Sequence, residues 1–385
     1  MKVKLGIDML EANAALLSGK RIGLLTNCTG VNSNFESTID LLHEHFDLVK
    51  LFAPEHGVRG NLQAGVTLTD YVDERTQLPV VSLYGDSQRP TKEAMADIDL
   101  VAFDIQEVGS RFYTYLYSMA YMMEACAEYG KKMVVFDRPA PMNAIGVEGN
   151  VLDVSYKSFV GYYPMPQRYG LTIGECAQLF NSEYGIGCDL TVVKMDGYKR
   201  SMFFEDTGAQ WVVPSPNIPT VDACFTFNCT CLFEGTNVSE GRGTTKPFSF
   251  IGAPWMDGDK LAEALKSLSL PGVSFRPHHF TPLKYHPTHS KYPGELCGGV
   301  EIHVSDRTLF RPAGTGLAML YTIRELFSEH FEFNEFRLNN GMPMIDCLTG
   351  GTYVRENKHS LEELLAIYEA DSKEFASMKM KYHLY

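Results

Sequence analysis

The segment PEHGVRG, residues 54–60, sets a carboxylate (Glu55), an imidazole (His56) and a guanidinium (Arg59) beside two glycines, directly after the apolar run LVKLFA. Two further acid-bearing segments are rich in turn residues and aromatics. DIQEVGSRFYTY, residues 104–115, offers Glu107, Arg111, Tyr113 and Tyr115, and FEGTNVSEGRGTTKPF, residues 233–248, offers Glu234, Glu240 and Arg242. With Trp211 and Asn217 these make the inventory a sugar site needs: acids for proton transfer, flat rings for a pyranose face, amides for hydroxyls. Arginine adds bidentate recognition of a carboxylate. Any one of these acids alone reads more simply as a solvated loop acid or a helix cap; it is their concurrence that points to a site.

The elements that must position them are legible as alternating patterns. Short β-rich apolar runs, RIGLLTN (21–27), LVKLFAP (48–54), PVVSLYG (79–85), LVAFDIQ (100–106) and KMVVFDRP (132–139), alternate with helical stretches, the longest being YTYLYSMAYMMEACAEYG. TIGECAQLFNSEYG (172–185) adds a helix with an apolar stripe and DLTVVKM (189–195) a further strand. That rhythm predicts an α/β fold, a doubly wound, mostly parallel sheet with helices on both faces. Ligands of such sheets bind outside the carboxyl ends of the strands. The first two runs are followed there by Thr26, Asn27 and Thr29, then by Glu55, His56 and Arg59. The next three deliver Tyr84 and Asp86, then Gln106, Glu107 and Arg111, then Asp137 and Arg138.

A Pro-rich stretch, VVPSPNIPT (212–220), precedes the Gly/Thr-rich segment, and beyond it helices mix with isolated strands. This predicts a catalytic domain over residues 1–228 and a smaller α+β domain over 229–385, with the active-site cleft between them. No G-x-G-x-x-G follows the first strand, and neither a G-x-x-x-x-G-K-[ST] loop nor a G-x-S-x-G elbow occurs, so no nucleotide or other cofactor is expected. PHHFTPLKYHPTH holds His278, His279, His286 and His289, but its prolines and uneven spacing read as an exposed loop, and no metal is expected.

A formal charge of −13, from 34 basic against 47 acidic residues, argues against nucleic acid as a partner. Nine cysteines at scattered spacings read as reduced thiols. The N-terminal residues show neither a secretory signal nor a membrane span, so the expected compartment is the cytoplasm, or the periplasm or exterior if a signal has been trimmed.

PEHGVRG, DIQEVGSRFYTY, FDRPAP, VEGNVLD, SFVGYYPMPQRYGLTIGE, WVVPSPNIPT and FEGTNVSEGRGTTKPF, in this order, closely resemble the exo-β-N-acetylmuramidase family of the NamZ type, formerly a domain of unknown function. The resemblance runs over nearly the whole chain. It implies a Rossmann-like first domain, a smaller second one, and release of terminal β-1,4-linked N-acetylmuramic acid from peptidoglycan-derived disaccharides or glycan chain ends. It makes Glu55 the leading catalytic residue, with Glu107 or Glu240 orienting the substrate's acetamido group or acting as second carboxylate. It also places Asp104, Gln106, Arg111, Glu234, Asn237 and Arg242 in the site. A muramidase must hold a lactyl carboxylate, for which Arg59, Arg111, Arg138 and Arg242 are the available cations. Two positions depart from the family pattern: Glu107 stands where aspartate is expected, and Tyr169 where histidine is. The rival reading is a non-catalytic protein that binds wall fragments in the same cleft.

Overall fold

The computed structural model describes residues 2–60, 68–85, 87–284, 290–338 and 340–385. Seven strands form one sheet: β1 (Ile22–Thr26), β2 (Leu48–Ala53), β3 (Tyr71–Val72), β4 (Pro79–Ser82), β5 (Leu100–Asp104), β6 (Lys132–Phe136) and β7 (Asp189–Val193). Their order is β3-β4-β2-β1-β5-β6-β7, and every pairing is parallel except that of β3 with β4. Strands β1 and β5 are buried along their whole length, as near-continuous apolar runs in a parallel sheet require. Leu24 of β1 pairs with Leu51 on one side and Ala102 on the other, so strand order reverses at β1 and the switch point lies between β1 and β5.

Helices α1 (Thr38–His45), α2 (Lys92–Met95), α3 (Tyr115–Glu128) and α4 (Ile173–Glu183) connect these strands. Their starts follow from capping chemistry: Ser37 and Thr91 cap α1 and α2, and a Thr172–Glu175 capping box opens α4. The chain continues through α5 (Val221–Thr230), and the break expected near residue 228 falls inside this helix.

The remaining residues build a three-stranded antiparallel sheet ordered β8-β10-β9, from β8 (Phe250–Ala253), β9 (Val273–Phe280) and β10 (Cys297–Val304). Around it lie α6 (Gly258–Ser267), α7 (Pro312–Leu326), α8 (Met344–Thr349) and α9 (Leu361–Lys379). His278 and His279 stand on the edge strand β9 rather than in the expected loop, while His286, His289 and Asp86 lie outside the described residues. One contiguous apolar core runs from Leu25 and Phe103 beneath the large sheet to Leu317 and Phe375 on the later helices. Helix α5 lies against α7 at Gly316, where any Cβ would fall 1.8 Å from the Cys229 carbonyl oxygen. All nine cysteines are free thiols.

Candidate active site

A cavity of about 370 Å³ opens where the large sheet's strand ends meet the later half of the chain. Its first wall starts at the end of β2. There His56 and Gly57 both adopt left-handed conformations, φ 72° and 74°, which breaks the strand direction sharply behind Glu55. The Glu55 carboxylate accepts a hydrogen bond of 3.0 Å from the Thr114 hydroxyl. Thr114 is the N-cap residue of α3, yet its side chain makes no capping bond; it serves Glu55 instead. Behind it the Tyr115 hydroxyl lies 2.7 Å from the Pro214 carbonyl and 3.3 Å from that of Glu55, tying the Pro-rich segment to the acid's backbone. Tyr84, from the end of β4, hydrogen-bonds the same carboxylate. Burial first, and then Glu55, push its phenol well above the usual range, and Arg242 and Glu234 also act on it, which sets Tyr84 between the two walls.

The second wall comes from the segment after α5. Arg242 donates to Glu234 at 2.6 Å and lies 3.4 Å from Glu240, while its guanidinium covers the Phe248 ring at 5.0 Å. Lys291 grips Glu240 at 2.7 Å and also donates to the carbonyls of Phe233 and Val238. Glu240 therefore has both oxygens committed to cations and is only 2% exposed, whereas Glu234 is paired through one oxygen and keeps 19% side-chain exposure toward the cavity. Asn217 and Tyr113 complete the lining beside Glu55, and the buried Tyr113 hydroxyl has no partner among the described residues.

Of the residues singled out in the sequence, Glu55, His56, Tyr84, Tyr113, Tyr115, Asn217, Glu234, Glu240 and Arg242 are brought together here. The others are placed elsewhere, each for a readable reason. Arg111 is fully buried and spends its guanidinium on the carbonyls of Asn150, Met165 and Leu348, at 2.6 to 2.8 Å, behind the cavity. Arg138 is locked to Asp104 by contacts of 2.5 and 2.7 Å, and Thr38 donates to the same carboxylate. Arg59 forms a bidentate pair with Asp73, whose carboxyl it draws down to about 2. Gln106 donates to the carbonyls of Glu107 and Pro139, and the Asn27 carboxamide oxygen accepts from Thr29. Asn237 bridges His330 and Glu332 at the surface. Trp211 packs edge-on against Phe204 and donates to the Ile218 carbonyl.

Glu107 does not line the cavity. It is 2% exposed, and burial pushes its carboxyl up to about 7 against hydrogen bonds from Tyr169 and from the Gly109 amide. The two departures from the expected pattern are thus bonded to each other: the longer acid meets the phenol.

The site also contains residues the sequence reading passed over. Lys291 and Asn334 sit in segments with no catalytic signature, and Phe159 and Phe336 look there like ordinary apolar residues. Among the described residues no group of three or more metal-ligating side chains could hold a metal ion, and no helix is long and apolar enough to cross a membrane.

Chemically, the arrangement offers carboxylates on both walls of a cavity large enough for sugar rings, a guanidinium between two of them, and amide and hydroxyl groups for orientation. At the switch point between β1 and β5, by contrast, the crevice has a volume of only about 20 Å³.

Comparison with known proteins places the whole chain in one family. Residues 22–222 match the family described as exo-beta-N-acetylmuramidase NamZ, N-terminal, and residues 225–385 its C-terminal counterpart. A curated relative, the peptidoglycan beta-N-acetylmuramidase NamZ of Bacillus subtilis (strain 168), is 49% identical over 390 residues, covering 100% of this chain and 92% of the relative. Two crystal structures of DUF1343 family proteins from Bacteroides fragilis NCTC 9343 superpose over 100% of this chain and 99% of theirs. One has a TM-score of 0.90 at 37% identity and the other 0.80 at 32%.

Proposed function

The chain belongs to the exo-β-N-acetylmuramidase NamZ family and is a glycoside hydrolase; from that premise we propose that it removes the terminal, non-reducing N-acetylmuramic acid from β-1,4-linked peptidoglycan fragments, with Glu55 as the acid. The observation that carries the reading is the pairing of Glu55 with Glu234 on facing walls of one cavity. Glu55 protonates the glycosidic oxygen as the bond to the anomeric carbon breaks. The substrate's acetamido oxygen attacks that carbon, and Glu234 accepts the acetamido N–H and supports the positive charge that develops. Water then opens the cyclic intermediate, giving up its proton to Glu55. Glu240, fixed between Lys291 and Arg242, holds Arg242 in place rather than meeting the sugar. Of the four arginines proposed for the lactyl carboxylate, Arg242 is the one that lines the cavity, and that role is assigned to it.

The test is incubation with N-acetylmuramyl-β-1,4-N-acetylglucosamine followed by mass spectrometry. Release of both monosaccharides is expected. Recovery of intact disaccharide from a folded protein that still binds it would establish the non-catalytic alternative.

A further inference from the structure

The acid wall of the cavity carries a cation that the reaction does not use. Lys291, from the connection between β9 and β10, stands 51 residues along the chain from Glu240 and lines the cavity. An ammonium has three donors, and here each has an acceptor: the Phe233 carbonyl at 2.7 Å, the Val238 carbonyl at 2.8 Å and a Glu240 oxygen at 2.7 Å. Lys291 therefore has no donor left for a sugar. Nor does the loop depend on it alone for its place. The Tyr292 hydroxyl donates to the Asn237 carbonyl at 2.7 Å, and Asn334 donates to the carbonyls of Glu234 and Thr236 at 2.6 and 3.3 Å, so the segment bearing Glu234 is tied by other side chains as well. What those contacts do not duplicate is the charge. Among the described residues of this wall, two acids, Glu234 and Glu240, meet two cations, Arg242 and Lys291.

We propose that Lys291 is a positioning residue for recognition of the muramic acid: by neutralising Glu240 it keeps the Arg242 guanidinium available to the lactyl carboxylate, an inference that rests on the hydrolase reading above. Arg242 donates to Glu234 at 2.6 Å and lies 3.4 Å from Glu240, the looser of its two contacts. Take away the Lys291 charge, and a buried Glu240 oxygen loses its partner, with Arg242 the cation left beside it among the described residues. Glu240 then draws the guanidinium toward itself, because an uncompensated buried carboxylate is costly. The wall also holds two negative charges against one positive where the substrate brings a third, and partial burial keeps water from screening that repulsion. A sugar whose lactyl group is uncharged does not feel it. Lys291 thus acts on specificity through Arg242, without touching the substrate.

The measurement is the ratio of kcat/KM on 4-nitrophenyl β-N-acetylmuramide to that on the same glycoside with its lactyl group converted to the primary amide. Lys291→Gln, which keeps N–H donors but not the charge, is expected to lower this ratio about tenfold, with the loss in KM for the charged glycoside. Adding Glu240→Gln restores the charge balance, so the double variant is expected to regain the wild-type ratio; a merely structural role would weaken both substrates alike and show no rescue. A wild-type ratio in folded Lys291→Gln, or a low ratio that persists in the double variant, overturns the proposal. Should Lys291→Gln alone fail to fold, Glu240→Gln is expected to raise the ratio above wild type and the double variant to return it, and equal ratios in those two overturn the proposal. If the wild type hydrolyses neither glycoside, the hydrolase reading fails, and calorimetric affinities of wild type and Lys291→Gln for N-acetylmuramic acid and its lactyl amide then decide the role of Lys291 by the same ratio.

Discussion

Two places along the carboxyl edge of the large sheet collect polar residues, and they have opposite fates. At the switch point, Arg138 and Thr38 hold the Asp104 carboxylate, Gln106 is spent on the carbonyls of Glu107 and Pro139, and the crevice beside them has a volume of about 20 Å³. One step along the edge, beyond β2 and β4, Glu55 and Tyr84 face about 370 Å³, and the segment after α5 sets Glu234 and Arg242 opposite them. In this fold, then, position at a strand end does not make a residue functional. What separates the two clusters is whether charge and hydrogen-bonding capacity are consumed inside the protein or left facing space.

Substitutions in the two clusters should therefore differ in kind. The largest effect is expected at the sealed one: Arg138→Met strands the buried Asp104 carboxylate and should cost ~3–5 kcal/mol in urea unfolding, while the folded fraction keeps its KM. A variant with normal stability but impaired sugar binding would place the sealed crevice in the site after all. Next comes Glu55→Gln, for which kcat on the disaccharide should fall at least ~10²-fold with the unfolding midpoint nearly unchanged; a folded variant with undiminished turnover would remove Glu55 from its role.

The smallest effect concerns Glu107, buried behind the open cluster. Its carboxyl titrates at about 7 in the folded protein, above its ordinary value, so the native state holds the proton more tightly than the unfolded chain does. The stability this contributes is complete below the unfolded pKa and is lost as pH rises through 7, with a slope of at most ~1.4 kcal/mol per pH unit for one proton. Asp137, raised by burial to about 6, adds to that slope, and Lys379, lowered by burial to about 7, opposes it. Asp137 also raises Glu107 through its charge, so the difference between the wild-type and variant stability–pH curves reports Glu107 together with its coupling to Asp137. Glu107→Gln should flatten the wild-type fall between pH 5 and 8, and parallel curves would show that Glu107 does not titrate there.

The strands were legible because a parallel sheet buried on both faces demands apolar runs such as LLT in β1 and LVAF in β5, and sequence pattern reports that directly. Glu55 was singled out because it follows a predicted strand end, with an imidazole, a guanidinium and two glycines beside it. The arginines were not. Arg111, Arg138 and Arg242 each sit near a glycine, proline or acid, and nothing local reveals that Arg111 meets carbonyls from residues 150, 165 and 348 while Arg242 meets a cavity. The partner of a long cation is set by tertiary packing. Phe336 escaped notice for the mirror-image reason: an apolar residue is expected inside, and only the folded turn reveals that this one stays out.

The guanidinium of Arg111 has a mechanical consequence. Its donors hold Asn150 and Met165 on one side and Leu348 on the other, so swinging the two halves apart at that point would strip a buried cation of its ligands. One buried cation thereby fastens the earlier and later parts of the chain to each other behind the cavity.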